Sequence, residues 1–282
     1  MKYLILGANG QLAKEFLKTL PAEKVIGLTR DKCDIANFYE VQDALGFYKP
    51  DITINCAAYN KVDDAEIDFT ESFKVNSLGA YNLALACKNF NSFLVHYSTD
   101  YVFDGKKESG LYEENDKPNP INQYGRSKLL GEKIIKEILG DKFLIFRVSW
   151  VYGEGKQNFV YKVLSWIKKN PYLKVSFDEV SVPTATTTIV AFTLQSLKEG
   201  LTGVYHLTNS GYASRFEFAK KIIEFLGIRK FIKPVTASSF NLPAPRPLFS
   251  ALSNQKLSHT LNVTIPHWEE SLYKFLKGFR YV

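Results

Sequence analysis

In its first half the chain alternates short apolar runs with longer stretches of helical period, and this alternation constrains the fold more than any other feature. Strand-like runs fall at 3–6, 25–28, 52–55, 93–97 and 143–147, and helical periodicity at 11–19, 37–48, 69–88 and 124–138. The pattern predicts an α/β fold, a doubly wound parallel sheet covered by helices on both faces. Such sheets bind ligands beyond the carboxyl ends of their strands.

After about residue 150 the alternation becomes irregular, with helices near 159–169 and 187–198 and strands near 173–177 and 204–207. Ser214 reads as an N-cap, with Glu217 three residues on completing a capping box for a helix running to 226. The run Leu242-Pro243-Ala244-Pro245-Arg246-Pro247 cannot continue a helix or sit in a central strand, so it reads as a loop. A last amphipathic helix fits 268–277. The expected organisation is a sheet domain over 1–150 and a smaller α/β lobe over 151–282. Part of that second segment returns to the sheet, and a cleft lies between the lobes.

With 282 residues, 45% of them hydrophobic, the chain can bury a large core. No apolar run approaches the roughly 20 residues of a membrane span, and the start, Met1 to Gly7, is too short and too quickly interrupted for a signal peptide. The expected location is therefore the cytoplasm, with no membrane partner. Cys33, Cys56 and Cys87 are odd in number and widely spaced, which argues against a disulfide framework. No metal site is expected either, because the four histidines lack ligand spacing and no carboxylate cluster demands magnesium. The net charge of +7 is spread among interleaved carboxylates, which argues against a nucleic-acid partner and suits a small phosphorylated ligand.

The first strand runs into Gly7-Ala8-Asn9-Gly10-Gln11-Leu12-Ala13, a G-x-x-G-x-x-A turn opening a helix. Two glycines permit a tight turn and close approach of the backbone to a pyrophosphate, whose charge sits on the helix N-terminus. Dinucleotide binding is the expectation. The second strand ends at Arg30, where a guanidinium suits the 2′-phosphate of NADP(H), although an ordinary surface arginine would look the same and NADH stays open. Asp34 and Ile35 follow, placed to approach the adenine. The third strand ends in Cys56-Ala57-Ala58-Tyr59, small residues where backbone must pass a cofactor closely.

The fourth strand leads into Thr99 and Asp100, and Tyr124 and Lys128 stand four residues apart at the start of a helix, hence on one face. A neighbouring ammonium can lower a tyrosine pKa from about 10 and make the phenol a usable proton donor. A half-buried tyrosine beside a solvated lysine fits the same spacing. Trp150 offers an indole face for a sugar or base, or packs in a core. Arg246 suits a diphosphate, or is a surface arginine fixed by its flanking prolines.

Together these motifs resemble the extended short-chain dehydrogenase/reductases and, within them, the dTDP-4-dehydrorhamnose reductases. The resemblance covers the full length. It rests on the glycine turn, Asn55 to Tyr59, Tyr97-Ser98-Thr99-Asp100-Tyr101-Val102-Phe103, Tyr124 to Glu132, Ser149-Trp150-Val151-Tyr152, Pro183-Thr184 and Arg246-Pro247. It implies a Rossmann fold and NADPH-dependent reduction of the C4 keto group of a dTDP-linked deoxyhexulose, with Tyr124 giving the proton. Lys128 would lower the tyrosine pKa and hold the nicotinamide ribose, and Thr99 would hydrogen-bond the tyrosine or the substrate. Asp100 and Trp150 would lie on the sugar-nucleotide side. Some members of the family use magnesium at a dimer contact, which leaves a homodimer and a magnesium requirement open. A different nucleotide-sugar reductase or epimerase shares the superfamily motifs, as does a non-catalytic regulator such as the β subunit of methionine adenosyltransferase. Asn60 and Asp178-Glu179-Val180-Ser181 depart from the family pattern, and Glu179 is expected to face solvent.

Overall fold

The computed structural model describes residues 1–155 and 157–278. The first half contains β1 (Tyr3–Leu6), α1 (Gln11–Thr19), β2 (Val25–Leu28), α2 (Phe38–Tyr48), β3 (Ile52–Asn55), α3 (Val62–Ile67), α4 (Thr70–Phe73), α5 (Gly79–Asn89), β4 (Phe93–Thr99), α6 (Gln123–Leu139) and β5 (Phe143–Val148). The second contains β6 (Val151–Tyr152), α7 (Phe159–Lys169), β7 (Leu173–Ser176), β8 (Val180–Ser181), β9 (Thr184–Ala185), α8 (Thr186–Lys198), β10 (Gly203–His206), β11 (Ala213–Ser214), α9 (Arg215–Phe225), β12 (Ile232–Val235), α10 (Gln255–Leu261) and α11 (Trp268–Lys277).

Six strands form one parallel sheet in the order β10-β5-β4-β3-β1-β2. The strands are near-continuous apolar runs because both faces are covered: every residue of β3 and β5 is buried. One face packs Leu4, Leu6, Leu83, Leu94 and Ile135 beneath α2, α5 and α6. The other packs Ile5, Phe16, Ile54, Phe146 and Ile189 beneath α1 and α8. Burying such a side chain contributes roughly 1.5–3 kcal/mol, so each face is held by many of these terms. A bidentate ion pair from Glu132 to Arg147, at 3.0 and 2.8 Å, pins α6 to β5 within this core.

The chain leaves the sheet after β5 and returns to it at β10, which pairs with β5, while α8 lies against α1. α7, β7, α9 and α11 surround a third apolar cluster that includes Phe218 of α9, while α10 packs with the layer beneath α1 and α8. Ser214 and Glu217 form the expected capping box at the start of α9. Among the described residues no helix is long and apolar enough to cross a membrane.

The stretch 69–88, read as one helix, is instead α4, a π-helical turn at Lys74–Leu78, and α5. The wide turn serves Asn76, whose Oδ1 accepts from Tyr59 N and whose Nδ2 donates to Tyr59 O, both at 2.9 Å. Single π turns of this kind cluster at functional sites. This one fixes the backbone where β3 opens onto the sheet edge.

Candidate active site

Gly7 adopts φ of 78°, and a Cβ there would lie 2.7 Å from Ala57 N, so no other residue fits the turn. Gly7 N and Ala8 N both donate to Leu28 O at 3.0 Å, which folds the turn back across the end of β2. Gly10 caps α1 without a side-chain bond, and the first turn of α1 carries no acidic residue. Its first N–H groups and positive dipole end are therefore not capped by a side chain, next to the exposed Asn9 and Gly10. Ala57 and the exposed Ala58 flank the turn, with Cys56 half-buried behind them. Gln11 donates its side-chain amide to Val151 O at 3.1 Å and accepts from Asn158 Nδ2 at 3.1 Å, so it ties α1 to the second half of the chain. Leu12 packs into the apolar layer beneath α1.

Arg30 lies just past β2 with its side chain 67% exposed. Its Nε donates to Asp34 Oδ2 at 3.1 Å, and Glu71 lies 3.9 Å from Nη2, so the guanidinium is oriented while most of its donors stay open to a phosphate. Asp34 is committed to Arg30 and to Ala36 N. Ile35 faces the core against Gly79, where a Cβ would meet it at 2.8 Å, and its carbonyl accepts from Asn82. Only its main-chain N–H remains for a ligand. A glycine-only cradle, an uncapped helix terminus and an oriented arginine across the edge fit a dinucleotide with a 2′-phosphate.

Tyr124 and Thr99 come together at the ends of α6 and β4. Close approach depends on Gly125, where a Cβ would fall 2.2 Å from Tyr101 O. Asn122 caps α6 by accepting from Gly125 N at 2.8 Å, and its amide donates to Pro245 O at 2.9 Å, which links the helix to the proline-rich loop. Thr99 Oγ1 accepts from Tyr101 N at 3.2 Å and donates to Asp100 Oδ1 at 3.1 Å, leaving a lone pair for the phenol. Burial pushes the Tyr124 pKa well above its ordinary value, Thr99 works to lower it, and Asp100 and Tyr101 raise it further.

Lys128 is 2% exposed, unlike the solvated lysine of the alternative reading, and its Nζ donates to Tyr97 O at 2.6 Å and lies 3.3 Å from His96 Nε2. In this arrangement Nζ is turned toward β4, and burial brings Lys128 down to about 8. Asp100 also differs from the reading that placed it on the sugar side. It is 3% exposed, and its Oδ2 accepts from Ser181 at 2.8 Å and Ser250 at 2.6 Å. Its carboxylate therefore joins the two halves of the chain and fixes Thr99.

A cavity of about 840 Å³ opens between α7, the start of α9 and the 240s loop, and its charged lining is Lys162, Lys174, Arg215 and Arg246 against Asp63 and Glu179. The excess of cations suits an anionic ligand. Tyr124 and Thr99 do not line it; Tyr101 connects the two regions, packing edge-on to Tyr124 at 6.0 Å and interacting electrostatically with Arg215. Trp150, with φ of 40° after β5, lines the cavity, but one face of its indole is covered by the Arg215 guanidinium at 3.5 Å. Arg246 also lines it, held by Asp63 through bonds of 3.0 and 2.7 Å. Glu179 does not face solvent as expected. It is 13% exposed, bound by Ser176 and 4.0 Å from Arg246, which offsets its charge. The sequence reading assigned no site role to Asn76, Tyr101, His96 or Arg215, which carry no local signal; it also passed over Asn122, whose place just before a helical run is an N-cap signal that could have found it.

The RmlD substrate binding domain model matches residues 1–281. The spore coat polysaccharide biosynthesis protein SpsK of Bacillus subtilis is 36% identical over 98% of this chain and 97% of its own length. A dTDP-4-dehydrorhamnose reductase of Burkholderia thailandensis is 36% identical over 95% of each chain. The crystal structure of dTDP-4-dehydrorhamnose reductase from Bacillus anthracis in complex with NADP superposes with a TM-score of 0.94 at 36% identity, covering 99% of this chain and 100% of that one. With its doubly wound sheet, its glycine-only turn and its Tyr124–Thr99 pair, the chain belongs to the RmlD substrate binding domain family, alongside the dTDP-4-dehydrorhamnose reductases.

Proposed function

We propose that this chain is an NADPH-dependent oxidoreductase that reduces the C4 keto group of dTDP-4-dehydro-L-rhamnose to give dTDP-L-rhamnose. The observation that carries this reading is the placement, on one edge of the sheet, of the Gly7 cradle, the Tyr124 phenol and a cation-lined cavity linked to that phenol by Tyr101. Family membership and the NADP-bound relative support it. Residues 1–150 would mainly hold the cofactor, and 151–282 the sugar nucleotide.

When bound, NADPH supplies the hydride. Gly7, Gly10 and the first turn of α1 would receive its pyrophosphate, Arg30 its 2′-phosphate, and Ala57 and Ala58 would let it pass close to the ends of the strands. Tyr124 would give its proton to the alkoxide forming at C4. Its raised pKa keeps the phenol protonated at neutral pH, the form a donor needs. Thr99, held by Asp100 and Tyr101 N, fixes the phenol oxygen in place. Acid catalysis of this type gives about 10²–10⁴-fold, so positioning by the second half of the chain must supply much of the remaining acceleration. There Arg246 and Arg215 would grip the diphosphate, and the free edge of Trp150 would border the sugar.

The test is loss of NADPH absorbance on addition of the ketosugar nucleotide, with the product identified as dTDP-L-rhamnose. Turnover of a different nucleotide sugar alone would replace the substrate. No turnover with any, coupled with tight binding to a synthetase, would point to a regulator.

A further inference from the structure

Two hydrogen-bond routes lead from the loop that carries Arg246 to the first turn of α6, where Tyr124 sits. The direct route is Asn122, which is fully buried. Its Oδ1 accepts from Gly125 N at 2.8 Å, and its Nδ2 donates to Pro245 O at 2.9 Å, one residue before Arg246. The second route is α3. Asp63 accepts from both terminal nitrogens of Arg246, at 3.0 and 2.7 Å, and from Ala244 N at 3.3 Å. One turn along the same helix face, Glu66 accepts from Gln123 N at 2.9 Å.

The first N–H groups of a helix need partners, and here two of them, Gln123 N and Gly125 N, are taken by side chains that are themselves tied to the 244–246 loop. A serine in place of Asn122 would cap α6 as well, because a cap uses only one acceptor oxygen. What it lacks is the amide that reaches Pro245. Little slack exists on the other side of the turn, where a Cβ on Gly125 would fall 2.2 Å from Tyr101 O. A displacement of the first turn of α6 therefore moves the phenol relative to Thr99.

We infer that Asn122 and Glu66 are positioning residues that couple occupation of the Arg246 clamp by a diphosphate to the placement of the Tyr124 phenol. The inference rests on the reading of the cavity as the sugar-nucleotide site and of Tyr124 as proton donor. Through these two residues, interaction with the part of the substrate that does not react goes into orienting the acid, which raises kcat rather than affinity alone.

The first test needs no turnover and uses dTDP as the probe. Amide hydrogen exchange at Gln123 and Gly125, followed by NMR of the labelled protein, should slow by about 5-fold or more when dTDP saturates the wild type. The slowing at Gly125 should be lost in Asn122→Ser, which keeps the cap and loses the tie to Pro245. Bound dTDP with unchanged exchange at both amides would overturn the coupling. No binding of dTDP at all would overturn the substrate reading and the coupling with it, so the two failures are distinguishable. The second test is steady-state kinetics. Asn122→Ser and Glu66→Ala should each lower kcat roughly 10- to 100-fold with KM for NADPH unchanged. Glu66→Gln, which still offers an oxygen to Gln123 N, should recover most of the loss. An undiminished kcat in Glu66→Ala, or a loss in Glu66→Gln as large as that in Glu66→Ala, would also overturn the inference.

Discussion

Replacing Arg246 by Ala isolates the contribution of the proposed diphosphate clamp. In the structure Nη1 is occupied by Asp63 Oδ1 and Ala244 O, and Nη2 donates one bond to Asp63 Oδ2. Two of the five guanidinium donors remain, on Nη2 and Nε, with only Glu179 near Nε at 4.0 Å. A hydrogen bond to a charged group contributes about 1.5–3 kcal/mol, so loss of the phosphate contact should raise KM for the sugar nucleotide roughly 10- to 150-fold. KM for NADPH should stay where it is. The competing account is that Arg246 only ties the proline-rich loop to α3. Asp63→Asn separates the two, since it weakens the same ion pair while leaving the guanidinium in the cavity. Steady-state kinetics on both variants should show a large KM effect for Arg246→Ala and a much smaller one for Asp63→Asn. Equal losses in the two, or an unchanged KM in Arg246→Ala, would refute the clamp.

Arg30→Ala should raise KM for NADPH far more than KM for NADH, because only the former carries the 2′-phosphate; equal effects would remove Arg30 from cofactor selection. Lys128→Met should reveal the cost of a buried amine. Burial lowers the folded Lys128 pKa to about 8, below its unfolded value, so the unfolded chain binds the extra proton between the two. The penalty is present in full below about pH 8 and is relieved as pH rises toward the unfolded value. Relative to Lys128→Met, wild-type stability in urea should therefore climb by about 3 kcal/mol across that window, and a flat difference would mean the lysine is solvated.

The sheet was legible because its strands are buried on both faces and separated by helices of clear period. The predicted strands at 3–6, 25–28 and 52–55 match β1, β2 and β3 residue for residue. What escaped was set by contacts between distant segments. A π turn at Lys74–Leu78 has no propensity signature and exists to bring Asn76 to Tyr59. Asp100 reads as a polar residue at a strand end, but Ser181 and Ser250 claim it from the other half of the chain. Glu179 reads as a surface carboxylate until Arg246 folds over it. The four-residue spacing of Tyr124 and Lys128 placed both on one helix face but could not tell that β4 would bury the amine.

The central claim is that Tyr124 is the proton donor of a ketosugar reductase, and the most direct measurement compares wild type with Tyr124→Phe in NADPH oxidation driven by dTDP-4-dehydro-L-rhamnose. The account predicts that kcat falls by about 10²–10⁴-fold while NADPH and the sugar nucleotide still bind. An undiminished kcat in Tyr124→Phe would contradict it.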